Sequence, residues 1–488
     1  SHLSCNILAD LLIAHGVKHV VLSPGSRNAP LIIAISRRED LKCHVVIDER
    51  SAAFIALGMS IQSGSPVAIV CTSGTALLNY APAVAEAYYR HIPLVVISAD
   101  RPEEWIDQDD SQTLWQQDAL APYVKRSCDI CARIDFPNGK WWTERMINDV
   151  LLEAVNSRPG PVHINVRLDA PLNTQTDYET RSSRVISMVT PPQLLPVADV
   201  RNLANTIAAP HRVMIVAGFH EPDYKLNRSM MRLASLPNVV VMTESISNLH
   251  SPLFINRIDS TLCRLSETEK DSLRPDTVIT LGGAIVSRHI KDWLRNIPKL
   301  SHWHIGISHT TIDCFKHLTM RINMDAAPFL SQLASAMSRQ KVVSAYSQLW
   351  HDASMRASDL HDSYIEKAPW SDIKAMAHIF SNIPRSWNVH LSNGTPVRYA
   401  QLMDNMNIHR SECNRGVSGI DGCTSTALGS SAVFKGVTLL ISGDMSFQYD
   451  ISALSSEILS PRFRHLPIIW VVCEWQEEPD ALIRIRTD

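Results

Sequence analysis

Three short runs carry residues that could do chemistry, and each follows an apolar stretch that reads as a strand. Gly443-Asp444 comes directly after Thr438–Ser442. A glycine lets the backbone approach a phosphate closely, and a carboxylate at a strand's C-terminal end can hold Mg²⁺ against that phosphate. Ser442 and Ser446 add hydroxyls. The plainer alternative is that Asp444 caps a helix starting at Met445. Asp48-Glu49-Arg50 also ends a strand, and a helical pattern over Ser51–Met59 begins at once. An acid there is either favoured by the helix dipole alone or is a carboxylate held in an apolar cleft to give and take a proton. Thr72-Ser73-Gly74-Thr75-Ala76 follows a third strand. Small hydroxyl residues around a glycine allow a flat ring or a phosphate to pack on the backbone, or simply make a tight turn into a helix.

Arginines cluster in the same kind of place: Arg27 in Pro24-Gly25-Ser26-Arg27, Arg101 in Ala99-Asp100-Arg101-Pro102, and Arg415 in Asn414-Arg415-Gly416. Forked guanidinium groups bind carboxylates bidentately, so several converging on one cleft would suit a polyanionic substrate. Taken singly, each could equally make a surface salt bridge. The net charge of −3 offers no general basic field, which argues against nucleic-acid binding and makes any anion site local.

The elements that must position these residues alternate short β-branched runs with longer helical patterns, the signature of parallel α/β sheets. A helix around Ile7–Ala14, closed by Gly16, opens the first group. Its strands are expected at His19–Leu22, His44–Ile47, Val67–Cys71, Leu94–Ser98 and Val162–Val166. A polar, Pro-rich linker spans Pro171–Pro196. The second group has strands near Val213–Ala217, Val239–Met242, Val278–Leu281 and His304–Ile307, then a helical stretch over Ala326–Ile365. The third has strands at Asn388–Leu391, Thr438–Ile441, Ile468–Val472 and Leu482–Arg486. At 488 residues the chain is too long for one core. We expect three parallel-sheet α/β domains, spanning 1–180, 190–345 and 360–488.

An apolar fraction of 45% and a charged fraction of 19% are those of an ordinary globular protein. No apolar run approaches the ~20 residues of a membrane span, and no signal peptide opens the chain. Ten cysteines are scattered. The one Cys-x-x-Cys, Cys128 to Cys131, lies in an alternating strand-like stretch, Ser127–Ile134, and reads as two ordinary buried thiols. A reducing cytoplasm fits this usage.

The order of these motifs is more specific than any one of them. Pro24–Arg27, Asp48–Arg50, Thr72–Ala76, Ala99–Pro102, the run Asn414-Arg-Gly-Val-Ser-Gly-Ile-Asp-Gly422 and Gly443–Ser446 together resemble the successive signatures of the 2-succinyl-5-enolpyruvyl-6-hydroxy-3-cyclohexene-1-carboxylate synthases. These are thiamine-diphosphate enzymes of menaquinone biosynthesis. The resemblance implies pyrimidine-binding, central and diphosphate-binding domains. It also implies a homodimer or dimer of dimers with active sites at the subunit interface.

On this resemblance Glu49 hydrogen-bonds the cofactor's aminopyrimidine ring, and Thr72, Ser73 and Gly74 pack beside the cofactor. Ile420 is the apolar wedge that keeps it bent. Asp444 binds Mg²⁺, with Mn²⁺ an alternative ion, and Gly443, Met445 and Ser446 lie on the diphosphate side. Asn393 and Gly394 close the pocket. The implied substrates are 2-oxoglutarate, which loses CO₂, and isochorismate, which receives the remaining unit by conjugate addition. Substrate contacts carry over to Ser26, Arg27, Arg101, Gln112, Arg288, Arg398 and Arg415.

Two departures from the family pattern stand out. Ser287-Arg288 replaces the usual Lys-Arg, which puts one cationic contact in doubt. The family's asparagine pair, a further Mg²⁺ ligand, is also missing after Cys473. There only seven residues, 474–480, separate two strand-like runs. A parallel crossover needs at least ~10–12 residues. Either the last strand is antiparallel or a segment is absent between Cys473 and Glu474, and the second reading is favoured. The competing assignments are another thiamine-dependent 2-oxo acid lyase or acetohydroxyacid synthase, and a non-catalytic relative that keeps the fold as a binding protein. Glu49 and Asp444 argue against the last.

Overall fold

Short β-branched runs become buried parallel strands in the computed structural model, which describes residues 3–170, 172, 183–208, 210–308, 310–338, 343–456, 458, 468–473 and 484–486. The fold is α/β as expected, with three sheets of strands interleaved with helices. The first holds β1 (His19–Leu22), β2 (Lys42–Val45), β3 (Val67–Cys71), β4 (Leu94–Asp100), β5 (Ser127–Cys131) and β6 (Val162–Arg167), in the order β2-β1-β3-β4-β6-β5. Every pairing in it is parallel. β3 and β4 are buried along their whole length, which explains their unbroken apolar runs.

The second sheet comprises β7 (Val213–Ala217), β8 (Val239–Thr243), β9 (Phe254–Ile255), β10 (Thr277–Leu281), β11 (Ser301–Ile305) and β12 (Leu318–Ile322), in the order β12-β11-β10-β7-β8-β9. The third comprises β13 (Asn388–Leu391), β14 (Arg410–Glu412), β15 (Thr438–Gly443), β16 (Ile468–Cys473) and β17 (Arg484–Arg486). The junction after Cys473, where an antiparallel last strand or an absent segment was expected, runs into 474–483, outside the described residues. No helix among the described residues is long and apolar enough to cross a membrane.

Several expected boundaries shift. β2 covers Lys42–Val45 rather than 44–47, because Ile47 is 77% exposed in the turn into the next helix. β11 covers Ser301–Ile305 rather than 304–307, since its register on β10 begins at Ser301 opposite Thr277. β9, β12 and β14 gave no signal in advance. They are short or partly polar, and edge strands need no continuous apolar run. Cys131 is exposed while Cys128 is buried, so the pair is not two buried thiols. Residues three apart on a strand point to opposite faces.

The chain divides into two compact units, Ser1–Thr190 with Asn414–Val472, and Pro191–Cys413. Within the first, the helix Glu49–Ser63 lies against the helix Cys423–Val433 with backbones nearly touching. A Cβ on Gly58 would come within 1.9 Å of the Thr426 carbonyl oxygen, and one on Gly429 within 1.9 Å of that of Ile55. Phe54 covers Gly422, and Ser430 Oγ donates to Gln62 Oε1 at 3.0 Å. Both sequences advance together along this contact, so the helices run parallel and their N-termini share one end. Gly58→Ala should therefore force the helices apart and destabilise the protein by about 1–3 kcal/mol. Urea denaturation checks this; an unchanged midpoint would mean the crossing has slack.

Candidate active site

Parallel register brings the loops after β1, β3 and β4 to one sheet edge. Leu22 pairs with Val70 and Cys71 with Ser98, so Ser23 and Thr72 leave the sheet side by side, while β4 continues on β6 to Asp100 and its loop begins at Arg101. In the first loop Asn28, fully buried, accepts from Gly25 N–H at 3.0 Å and donates to the Ser23 carbonyl at 2.8 Å. That closes Pro24–Arg27 into a turn. Gly25 sits on Thr72, where a Cβ would fall 2.5 Å from the Thr72 Cβ.

The second loop turns at Gly74, whose φ of +86° favours glycine, and Gly74 lies against Gln112. The third carries Arg101, paired with Asp110. Arg27 donates to the Leu168 carbonyl at 3.0 Å, and its pKa is lowered by burial first and by the charge of Arg101 second. Ser26, Arg27, Thr72, Ser73, Gly74, Arg101 and Gln112 thus lie on loops that emerge at one edge.

The two acids at the end of β2 divide their labour. Asp48 is the helix N-cap, accepting from Ser51 N–H at 3.1 Å. Glu49, half-buried, has no hydrogen-bond or ion-pair partner among the described residues. Its charge, after burial, helps push the pKa values of fully buried Cys71 and Tyr80 up.

Arg50 next to it donates to the Tyr449 carbonyl at 2.8 Å and stacks over that ring, while Ser51 and Ser452 hydroxyls meet at 2.8 Å. These contacts tie the Glu49 helix to the segment following Asp444. Asp444 does not cap a helix: the helix Asp444–Tyr449 begins on it, with Gly443 as N-cap and no side-chain cap bond. Its carboxylate has no partner among the described residues. Ser446 Oγ donates to the Ile420 carbonyl at 2.9 Å, joining Gly443–Ser446 to the Asn414–Gly422 loop.

Four candidates lie in the second unit. Asn393 and Gly394 follow β13, Gly394 with φ +95°, and Arg398 sits exposed on the helix they open. Arg288 is the exposed first residue of the helix Arg288–Arg295.

Two positions escaped the sequence reading. Gln116, 0% exposed, accepts from Gly74 N–H at 2.7 Å and donates to the Ala99 carbonyl and to Asn165 Oδ1, both at 3.0 Å. Asn165 in turn donates at 2.8 Å to Asp100, whose carboxyl burial pushes up. One buried amide thus joins the Gly74 loop to the loop of Arg101. Nothing in Trp115-Gln116-Gln117 separates it from its exposed neighbour. The other is Glu86, whose carboxylate accepts from Gly416 and Val417 N–H groups.

The residues present fit a diphosphate-bearing cofactor with a flat ring. Thr72 Oγ1 and Ser73 Oγ are buried without a hydrogen-bond partner among the described residues, an arrangement proteins rarely leave unfilled. No atom stands within 4 Å of where a Cβ would sit on Gly443, so its backbone is open to a ligand.

Known proteins agree with that chemistry. Residues 5–120 match the family described as thiamine pyrophosphate enzyme, N-terminal TPP binding domain. A relative from Porphyromonas gingivalis is 41% identical over 466 residues, covering 94% of this chain and 80% of the relative. One from Christiangramia forsetii is 38% identical over 482 residues, covering 93% and 81%. Both are named 2-succinyl-5-enolpyruvyl-6-hydroxy-3-cyclohexene-1-carboxylate synthase. This chain belongs to that synthase family. Membership makes it a thiamine-diphosphate-dependent transferase.

In this synthase fold Gln116→Leu should orphan Gly74 N–H and the Ala99 carbonyl together, while Asn165 Oδ1 keeps its bond from Ser98 Oγ at 2.7 Å. At about 1–3 kcal/mol per orphaned group, the loss should reach several kcal/mol in chemical denaturation. A loss under about 0.5 kcal/mol, within the range of an ordinary surface change, would show that the two loops hold their places without Gln116.

Proposed function

We propose that this chain decarboxylates 2-oxoglutarate and adds the remaining four-carbon unit to isochorismate, giving 2-succinyl-5-enolpyruvyl-6-hydroxy-3-cyclohexene-1-carboxylate for menaquinone biosynthesis. The observation that carries this reading is one sheet edge of a synthase-family member holding the orphaned hydroxyls of Thr72 and Ser73 beside Arg27 and Arg101. Orphaned hydroxyls beside a glycine suit a cofactor, and two adjacent arginines suit an acid with more than one carboxylate.

When bound, thiamine diphosphate supplies a carbon nucleophile and an electron sink for CO₂ loss. The protein's part is to hold, orient and move protons. Glu49, which has no hydrogen-bond or ion-pair partner among the described residues, would hold and exchange a proton at the cofactor's aminopyrimidine. Ile420, half-buried on its loop, is the apolar wedge. No three His, Cys, Asp or Glu side chains gather to hold a metal among the described residues. Asp444, at the end of β15, would hold Mg²⁺ or Mn²⁺. Gly443, Met445 and Ser446 would lie along that diphosphate.

Ser26, Arg27, Arg101, Gln112 and Arg415 are the substrate-facing residues of this reading. Asn393, Gly394, Arg288 and Arg398 enter it on the family resemblance alone. So do the three domains (1–180, 190–345 and 360–488), the homodimer or dimer of dimers, and a cytoplasmic location.

Purified protein with thiamine diphosphate, Mg²⁺, 2-oxoglutarate and isochorismate should consume isochorismate only when all four are present. Glu49→Gln should lower the rate at least ~10²-fold, the usual cost of losing a proton-transfer partner. CO₂ release without isochorismate consumption would keep the thiamine enzyme and sink the substrate assignment. In a second series, Asp444→Asn should raise the Mg²⁺ concentration for half-maximal activity at least about tenfold, as expected for a lost metal ligand. An unchanged Mg²⁺ requirement would place the metal elsewhere.

A further inference from the structure

Glu86 is an ionisable side chain in an otherwise apolar position. It lies on the helix Ala81–Arg90, whose buried face is otherwise Ala83, Val84, Ala87 and, at the end, Arg90. The residue is 2% exposed. Burying a carboxylate is costly unless it is well paired, and here the pairing comes from the charge of Arg90 and from backbone N–H groups.

One carboxylate oxygen accepts from Gly416 N–H at 2.8 Å and the other from Val417 N–H at 2.6 Å, while the Ser418 N–H also converges on it. Three successive amides aimed at one anion make a nest. Ser418 takes φ +68° to close it. Gly416 has no room for a side chain: a Cβ would lie 2.7 Å from the Glu86 carbonyl oxygen and 3.0 Å from its carboxylate. Burial pushes the carboxyl's pKa up, and Arg90 with the three amides draws it back down. The nest begins on the residue immediately after Arg415. On the other side, Asn414 is anchored by donating to Thr426 Oγ1 at 3.0 Å.

We propose that Glu86 is a positioning residue, gripping Gly416–Ser418 so that Arg415 presents its guanidinium to a substrate carboxylate from a fixed backbone. This rests on the reading of Arg415 as a substrate contact. Aliphatic packing would fill the same space without fixing three amides in direction. A carboxylate fixes them because its two oxygens and charge set both distance and orientation.

The test measures kcat and KM for 2-oxoglutarate and for isochorismate in wild type, Glu86→Gln, Arg415→Ala and the double variant. Calorimetric titration with each acid separately follows binding without turnover. Glu86→Gln replaces one accepting oxygen by an N–H₂ that faces a backbone donor. KM and Kd for one acid should rise about tenfold with kcat within about threefold, the size of a charge-assisted hydrogen bond lost to binding. In the Arg415→Ala background the same substitution should change that KM less than about twofold, because the group it positions is gone.

Full effects of Glu86→Gln in both backgrounds, or an unchanged KM and Kd, would overturn the proposal. If Glu86→Gln does not fold, Glu86→Asp keeps the charge on a shorter arm. It should then show the same acid-specific KM rise at about threefold, and an unchanged KM there would overturn the proposal equally. A wild type that turns over neither acid defeats the functional reading itself. Normal wild-type turnover with independent Glu86 and Arg415 effects defeats only the positioning role.

Discussion

Parallel pairing of β1, β3 and β4 in near-equal register is the constraint on which the candidate site rests. Parallel strands share a direction, so their C-terminal ends form one edge, and loops far apart in sequence emerge there together. The pairs Leu22 with Val70 and Cys71 with Ser98 bring Pro24–Arg27, Thr72–Gly74 and Ala99–Arg101 within reach of one ligand. A shift of two residues in either pairing would carry one loop roughly 6–7 Å along the sheet, beyond hydrogen-bond reach. The buried amides of Asn28 and Gln116 then set loop shape, each with both its oxygen and its nitrogen bonded to neighbouring loop backbone.

A second constraint is the absence of side chains at Gly58, Gly422 and Gly429. It lets the Glu49 helix and the Cys423 helix pack backbone to backbone with their N-termini at one end. Glu49 and the Asn414–Gly422 loop are consequently both anchored to the same rigid pair. Arg50 to Tyr449, Ser51 to Ser452 and Ser446 to Ile420 extend that anchoring to the Asp444 helix. Polar groups left over after this framework is satisfied mark the place for chemistry. Asp48 caps its helix while Glu49 does not, and Thr72 and Ser73 keep hydroxyls that no side chain among the described residues meets.

Most of the fold was legible from periodicity. β1, β3, β7 and β13 fall where their runs place them, because strands covered on both faces favour continuous apolar, β-branched residues, with polar Asn388 and His390 of β13 the exceptions. β12 and β14 were not legible, since Leu318–Ile322 is partly exposed and Arg410–Glu412 carries two charged residues, so neither has a continuous apolar run. Register, rather than composition, makes those segments strands, and register is a property of neighbours.

The candidate site was marked by residue types at strand ends: glutamate after β2, small hydroxyls and glycine after β3, glycine and aspartate at the end of β15, arginines in the loops. Local rules suffice there, because a strand end and a helix start need only a few consecutive residues to be recognised. Which polar residues hold that site together was not written locally. Gln116 and Gln117 are chemically identical neighbours, yet one is fully buried with three hydrogen bonds and the other is exposed. Glu86 meets its amides 330 positions away along the chain. Such roles arise from long-range packing, where burial turns a side chain's hydrogen-bonding capacity into an obligation that only particular distant partners can meet.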